Sequence, residues 1–190
     1  MASEVEICNR ALQKLGAKRI TSLSEDSVNA RACNVAIEPV RLAALRAHPW
    51  NFAIARASLA ADATAPDWGR GASFQLPSGF LRILPDYPED EFDTKDWQIE
   101  GQKILTDETA PLYIRYIQDI SDPNLMDPIF REYYSTRLAF ELCEQITQSN
   151  EKKAGLKDDM KDIVLEAKKT NAMENRPVDA PDSSWIYRRA

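Results

Sequence analysis

Residues 4–53 read EVEICNRALQKLGAKRITSLSEDSVNARACNVAIEPVRLAALRAHPWNFA. Apolar residues recur at helical spacing in two runs, which Gly16 and a short polar link separate. The pattern predicts a helix, a turn and a longer helix, and then an extended segment that begins at Trp50. Nothing in the stretch resembles a reaction centre, so it predicts a module whose role is packing.

The first helix is predicted over residues 3–15. Ser3 is followed three positions later by Glu6, which is the spacing of a capping box. Gly16 is placed to end the helix in the left-handed conformation. Both ends of this helix are therefore specified by local sequence.

The second helix is predicted over residues 27–47, with Ser24 and Asp26 as candidate N-caps. Its polar residues fall on one narrow stripe, and apolar residues occupy much of the remaining surface. Such a wide apolar surface predicts contacts on several sides, as in the central helix of a bundle. Pro39 is expected to kink this helix or to split it at Glu38.

The character of the chain changes over residues from about 50 to 120, where glycine, proline and aromatic residues become frequent and the apolar period shortens. Residues 52–60 fit either a strand or a short helix. A turn at residues 77–79 precedes an apolar strand, and Glu100-Gly101 marks a hairpin. Residues 111–120 alternate as a two-sided strand does. A small inserted antiparallel β-sheet is predicted here.

An acidic segment lies between two of these predicted strands. The segment is either a solvated loop or an exposed tip that faces a partner or a DNA channel. Its carboxylates belong to Asp86, Glu89, Asp90, Glu91, Asp93 and Asp96.

The helical period returns after this region. Helices are predicted over residues 127–148, where Pro128 suits the first helical position, and over residues 151–174. The two helix pairs are predicted to close into an antiparallel four-helix bundle with the sheet inserted at one end. The fold class is therefore α+β, with residues 1–176 as a single domain.

The last segment, residues 177–190, has the composition of an extended tail. It either folds back on its own helices or docks on another subunit. The docking hypothesis rests on residue types that dominate binding hot spots. They are Trp185, Ile186, Tyr187, Arg188 and Arg189.

Composition narrows the classes of function. The formal net charge of −6 argues against a protein that wraps nucleic acid by neutralising phosphates. The three cysteines lie among apolar residues, which favours reduced and buried thiols over a zinc site. No apolar run reaches transmembrane length and no signal peptide is evident, so a cytoplasmic origin is expected.

Catalytic groups are scarce. His48 is the only histidine. Its position before a proline at a helix end indicates a packing role rather than general-base chemistry. No nucleophile elbow or phosphate-binding loop is present. Carboxylates on a solvated tip lack the burial that would separate their pKa values. No enzyme activity, cofactor or metal is therefore predicted.

The order of these motifs resembles the head-to-tail adaptor proteins of phages, the tail tubular protein A group. The resemblance covers most of the chain, and its pieces are short and distinctive only in combination. The resemblance rests on four motifs. They are the first helix, an I-x-S-L link, a W-x-F step into a strand and an LP turn. The matching residues are Asn9, Ala11, Leu12, Leu15, Gly16, Ile20, Ser22, Leu23, Ala30, Ala32, Trp50, Phe52, Leu76, Pro77, Phe80 and Leu81.

The resemblance implies a structural virion protein. Such proteins form a homo-oligomeric ring of about twelve copies below the portal protein. They bridge the portal to the tail nozzle or tube, and genomic DNA passes through the ring without sequence-specific binding. The implied location is the virion tail after assembly in the host cytoplasm, with no membrane partner.

Two rival functions come from other classes. One is a tail-borne enzyme such as a cell-envelope hydrolase, which would need an acidic pair fixed in a cleft. The other is a helical DNA-binding regulator, which the acidic balance and the lack of a basic recognition helix disfavour.

Overall fold

The structure is a computed structural model that describes residues 2–84 and 96–174. Within these residues, four α-helices and six β-strands make an α+β fold. The helices are α1 (Glu4–Leu15), α2 (Val28–Arg46), α3 (Pro128–Thr147) and α4 (Asn150–Met173). The strands are β1 (Ile54–Leu59), β2 (Ala72–Gln75), β3 (Phe80–Leu84), β4 (Trp97–Glu100), β5 (Lys103–Thr106) and β6 (Leu112–Gln118). Short 3-10 helices cover Asn51–Ala53 and Pro123–Leu125.

Local capping explains the helix ends, which lie within one residue of their predicted positions. The Ser3 hydroxyl accepts a hydrogen bond from the Glu6 N–H at 3.1 Å, and Gly16 ends α1 with φ +72°. Asp127 caps α3 by accepting from the backbone N–H of the second and third helical residues. These side chains satisfy backbone groups that have no partner within the helix.

Helix α2 differs from prediction at two points. Its N-cap is Ser27, whose side chain accepts from the Ala30 N–H at 3.2 Å, rather than Ser24 or Asp26. The helix also runs unbroken through Pro39, so the predicted split at Glu38 is wrong. Pro39 is exposed on the helix surface, where the missing backbone N–H leaves the carbonyl four residues earlier open to solvent.

The prediction of an antiparallel four-helix bundle is wrong. Helix α3 is the hub, because α1, α2 and α4 each pack mainly against it, while α1 and α2 touch each other only slightly. Four consecutive residues of α3, 133–136, are buried, so this turn of the helix is covered on all sides. Helix α2, predicted to be central, has one side that no described element covers.

The prediction of a single inserted sheet is also wrong, because the described strands form two three-stranded antiparallel sheets. The first sheet has the order β1-β6-β3, and the second has the order β2-β5-β4. The second contains the predicted hairpin, in which Glu100 pairs with Lys103 across a turn where Gly101 has φ +59°. Residues 54–59 are a strand, which resolves the strand-or-helix alternative.

The fold has three layers. One face of the first sheet packs on the helices through Leu84 and Ile117. Its other face packs on the second sheet, where Ile114 and Tyr116 meet Phe74 and Ile104 in a smaller core. Each face of the first sheet therefore buries apolar side chains, whereas the second sheet buries one face.

Trp50 joins the helices to the first sheet. Its side chain is fully buried among the rings of His48, Phe130 and Tyr133. Its indole N–H donates to the Ala44 carbonyl at 3.1 Å. The aromatic exit predicted from the sequence is thus a packing centre at the end of α2.

Two polar contacts fix the remaining connections. The Asn9 side chain donates to the Ile20 carbonyl and accepts from the Ile20 N–H, both at 2.8 Å, which holds the α1–α2 link. The buried Arg41 guanidinium makes a two-pronged pair with the Asp119 carboxylate, with both N–O distances at 3.0 Å. This pair ties α2 to the chain that leaves β6.

Among the described residues, no helix is both long and apolar enough to cross a membrane.

Candidate interaction surfaces

Most of the predicted site residues lie outside the described part of the chain. The tail residues Trp185, Ile186, Tyr187, Arg188 and Arg189 belong to this group, and so do Asp86, Glu89, Asp90, Glu91 and Asp93 of the acidic segment. Asp96 is the exception. Its carboxylate pairs with the Arg70 guanidinium at 2.5 Å and remains largely exposed.

His48 lies in a network at the junction of α2 and α4. Asn171 donates to the Pro49 carbonyl at 3.2 Å and accepts from the Asn51 N–H at 2.7 Å. Its amide nitrogen also lies 3.4 Å from His48 Nε2. Because that nitrogen is a donor, the contact fits a neutral His48 whose Nε2 accepts.

Burial lowers the pKa of His48, and the positive charges of Lys168 and Arg82 lower it further. The imidazole therefore packs as a neutral group that joins two helices. The side-chain contact described for its ring is with the Asn171 amide, which fits the packing role inferred from the sequence.

A titration of stability tests this role. Since the folded-state pKa lies below the unfolded one, the unfolded chain binds the proton first, and stability falls as the pH drops through about 6.5. We expect wild type to lose stability as the pH falls from about 7.5 through the unfolded pKa of about 6.5 and below it. His48→Gln, which keeps an acceptor and does not titrate, should lose less over the same interval. Urea denaturation across that range measures both, and parallel curves would contradict the burial of a neutral imidazole.

The cysteines form no metal site within the described residues, and no group of three metal-ligating side chains occurs there. Cys8, Cys33 and Cys143 are free and buried, as predicted. Hydrogen bonding with Cys33 and burial raise the pKa of the Cys8 thiol. That thiol is therefore protonated and unreactive at neutral pH.

The outer side of α2 is the surface that the fold leaves unexplained. Val28 is 61% exposed and Val35 is 77% exposed, although both are β-branched apolar residues on a helix. They lie seven positions apart, and Pro39, Leu42 and Arg46 follow on the same side of the helix. We call this row of five residues the α2 outer face.

The α2 outer face continues past the end of its helix. Arg46 donates to the Leu81 carbonyl at the start of β3. Two elements distant in sequence therefore meet at one edge of this apolar surface. Val28, Val35 and Pro39 are the exposed apolar residues of this face, and exposed apolar residues on one side of a helix are typical of a surface that another protein covers.

The sequence contains the signal for this surface, but in an ambiguous form. Apolar residues cover α2 nearly all round, and the periodicity cannot separate an internal contact from one between subunits. The wide apolar surface predicts contacts on several sides, as in the central helix of a bundle. The observed position of α3 shows that only part of it serves that role.

A scan against models of known protein families found no match, and a search of curated proteins also found none.

Proposed function

We propose that this protein is a structural subunit that assembles into a homo-oligomeric ring, as a head-to-tail adaptor of a phage virion. The sequence resemblance supplies the identity of the assembly. The α2 outer face is the observation that carries the proposal, because it is a surface that the fold of one subunit leaves unsatisfied.

The physical reason is the cost of exposing apolar surface. Burying a valine side chain contributes about 1.5–3 kcal/mol relative to leaving it in water. Val28 and Val35 contribute little to the stability of the subunit, since both are mostly exposed. Contact with a neighbouring subunit would bury them, and a closed ring repeats the same contact around its axis.

The residues that match the adaptor family have structural roles in this fold, which supports basing the proposal on the resemblance. Asn9 and Ile20 form the amide contact that holds the α1–α2 link. Gly16 provides the left-handed end of α1, and Trp50 forms the buried joint. These roles belong to the architecture of a subunit rather than to a reaction.

The tail remains part of the proposal. Residues 185–189 would anchor each subunit to a portal protein, and a ring would multiply these weak contacts into a durable one. The carboxylates of the acidic segment would face the DNA path or a tail partner, where negative charge lets DNA pass without binding.

Replacing Val35 with glutamate tests the role of the α2 outer face. The side chain is exposed, so the free energy of unfolding should change by less than about 0.5 kcal/mol. Placing a charge in an apolar subunit contact should weaken ring assembly at least about tenfold. The readout is the mass distribution of the protein alone and with its portal.

Leu165→Glu is the matched control, because Leu165 is 65% exposed on α4 and lies outside the α2 outer face. It should leave assembly unchanged. Equal assembly by wild type and Val35→Glu would remove the observation on which the proposal rests.

A further inference from the structure

Trp68 is the most exposed large apolar side chain among the described residues, at 88%. It lies in the loop of residues 60–71, between β1 and β2, which we call the Trp68 loop. An exposed tryptophan side chain contributes little to the stability of its own fold. In protein interfaces, however, tryptophan is among the residues that contribute most to binding. Trp68 therefore needs an explanation outside the subunit.

The Trp68 loop is fastened at its base. Arg70 pairs with Asp96 at 2.5 Å and with Asp107 at 3.0 Å, so it is tied to the ends of β4 and β5. Asp107 also accepts from the Gly71 N–H at 2.7 Å. Ordering the residues next to Trp68 before binding lowers the entropy lost when its indole enters a partner.

The surroundings of Trp68 are acidic. Asp67 precedes it and is exposed, while the carboxylates of Asp96 and Asp107 share the single guanidinium of Arg70. The loop therefore presents an indole within a negative field. The matching receptor is an apolar groove with a basic rim.

A groove of this chemistry exists on the same chain. It has a volume of about 780 Å³ and lies between the turn before β3 and the β4–β5 hairpin. Phe80, Leu81 and Ile99 provide apolar walls, and Arg46 and Arg82 provide positive charge. None of its described lining residues is acidic. The volume lies in the range of pockets that accept groups larger than one indole.

The loop and the groove lie at opposite ends of the second sheet. Arg70 fastens the loop to Asp96 and Asp107, which flank the open end of the β4–β5 pair. The groove includes Gly101 and Gln102, in the turn at the closed end. Four residues of strand, about 13 Å, separate these ends. If a second copy is placed along the strand direction, the Trp68 loop of one copy lies next to the groove of the other.

We infer that the Trp68 loop of one subunit inserts into this groove on the next subunit, with Asp67 near Arg46 and Arg82. This inference rests on the proposed function and names the contact that builds its ring. Two different surfaces meet, so the contact is head-to-tail, and such contacts generate rings when the rotation closes. Arg46 also belongs to the α2 outer face, which makes that face and the groove one continuous receiving surface.

Three variants test the inference by complementation. Trp68→Ala removes the inserted indole and keeps the groove. Gln102→Trp fills the groove and keeps the loop, and Arg46→Glu, which reverses the charge of its rim, is the second groove variant. Each variant alone should stay monomeric at concentrations where wild type forms larger oligomers, with association at least about tenfold weaker.

An equimolar mixture of Trp68→Ala and either groove variant retains one intact contact. It should therefore form a dimer and nothing larger, as measured by native mass spectrometry. Leu165→Ala, which removes another exposed apolar side chain, is the control that should assemble as wild type does.

Three outcomes would overturn the inference. They are full assembly of Trp68→Ala, failure of the mixture to dimerise, and a wild-type protein that stays monomeric at every attainable concentration. The proposed function fails through a different result, which is a wild-type protein that forms no ring on its portal. Rings that form on a portal without Trp68 would disprove this contact and leave the adaptor function standing.

Discussion

Trp50→Ala is expected to lower the free energy of unfolding by about 3–5 kcal/mol. The indole is fully buried, so its removal leaves a cavity between Phe130 and Tyr133 that the helices cannot fill. The Ala44 carbonyl also loses its hydrogen bond from the indole N–H. Urea denaturation followed by circular dichroism measures the loss.

Trp50→Phe separates these contributions. A phenyl ring keeps most of the aromatic packing and loses the N–H donor, so a smaller loss of about 1–2 kcal/mol is expected. If Trp50→Ala cost less than about 1 kcal/mol, Trp50 would not be the joint between the helices and the first sheet.

Asp119→Ala is expected to cost about 3 kcal/mol of stability, because it leaves the buried Arg41 guanidinium without its main counterion. The Arg41 side chain is 8% exposed, and its remaining acidic neighbour, Glu4, lies 3.6 Å away. That distance exceeds a hydrogen bond, so Glu4 compensates only in part. Thermal and urea unfolding at neutral pH measure the loss.

The double variant Arg41→Met with Asp119→Leu provides the control. Replacing both members of a buried ion pair with apolar side chains of similar size is often nearly neutral. We therefore expect the double variant to be more stable than Asp119→Ala alone. A double variant as unstable as the single one would mean that Asp119 acts through another contact.

Helix ends could be predicted because each depends on a few neighbouring residues. Ser3 and Asp127 cap their helices with side-chain oxygens, and Gly16 ends α1 through its left-handed backbone, each within a span of four residues. The hairpin turn at Gly101 is equally local. Such signals do not depend on the rest of the fold.

Contacts between distant segments could not be predicted in this way. Strand β6 pairs with β1 and β3, and no turn residue specifies either pairing. The choice of α3 over α2 as the central helix depends on which apolar faces meet, and two wide apolar surfaces look alike in sequence. The pair of Arg41 and Asp119, 78 positions apart, has no local signal.

The candidate site residues also divide into those that the sequence indicates and those that only the fold reveals. Composition indicated the acidic segment and the tail, and all of their residues except Asp96 lie outside the described part of the chain. The exposure of Val35 and Trp68 appears only when the fold assigns the remaining apolar residues to its cores. The sequence does not distinguish an apolar residue that the fold buries from one that it leaves on the surface.

The central claim is that this chain is a subunit of a ring that joins a portal to a tail. The mass of the wild-type protein mixed with its portal tests the claim most directly. We expect one species whose mass equals the portal plus a fixed, integral number of adaptor subunits, which electron microscopy shows as a closed ring. A wild-type protein that stays unbound in this mixture, with no ring at any protein concentration, would contradict the claim.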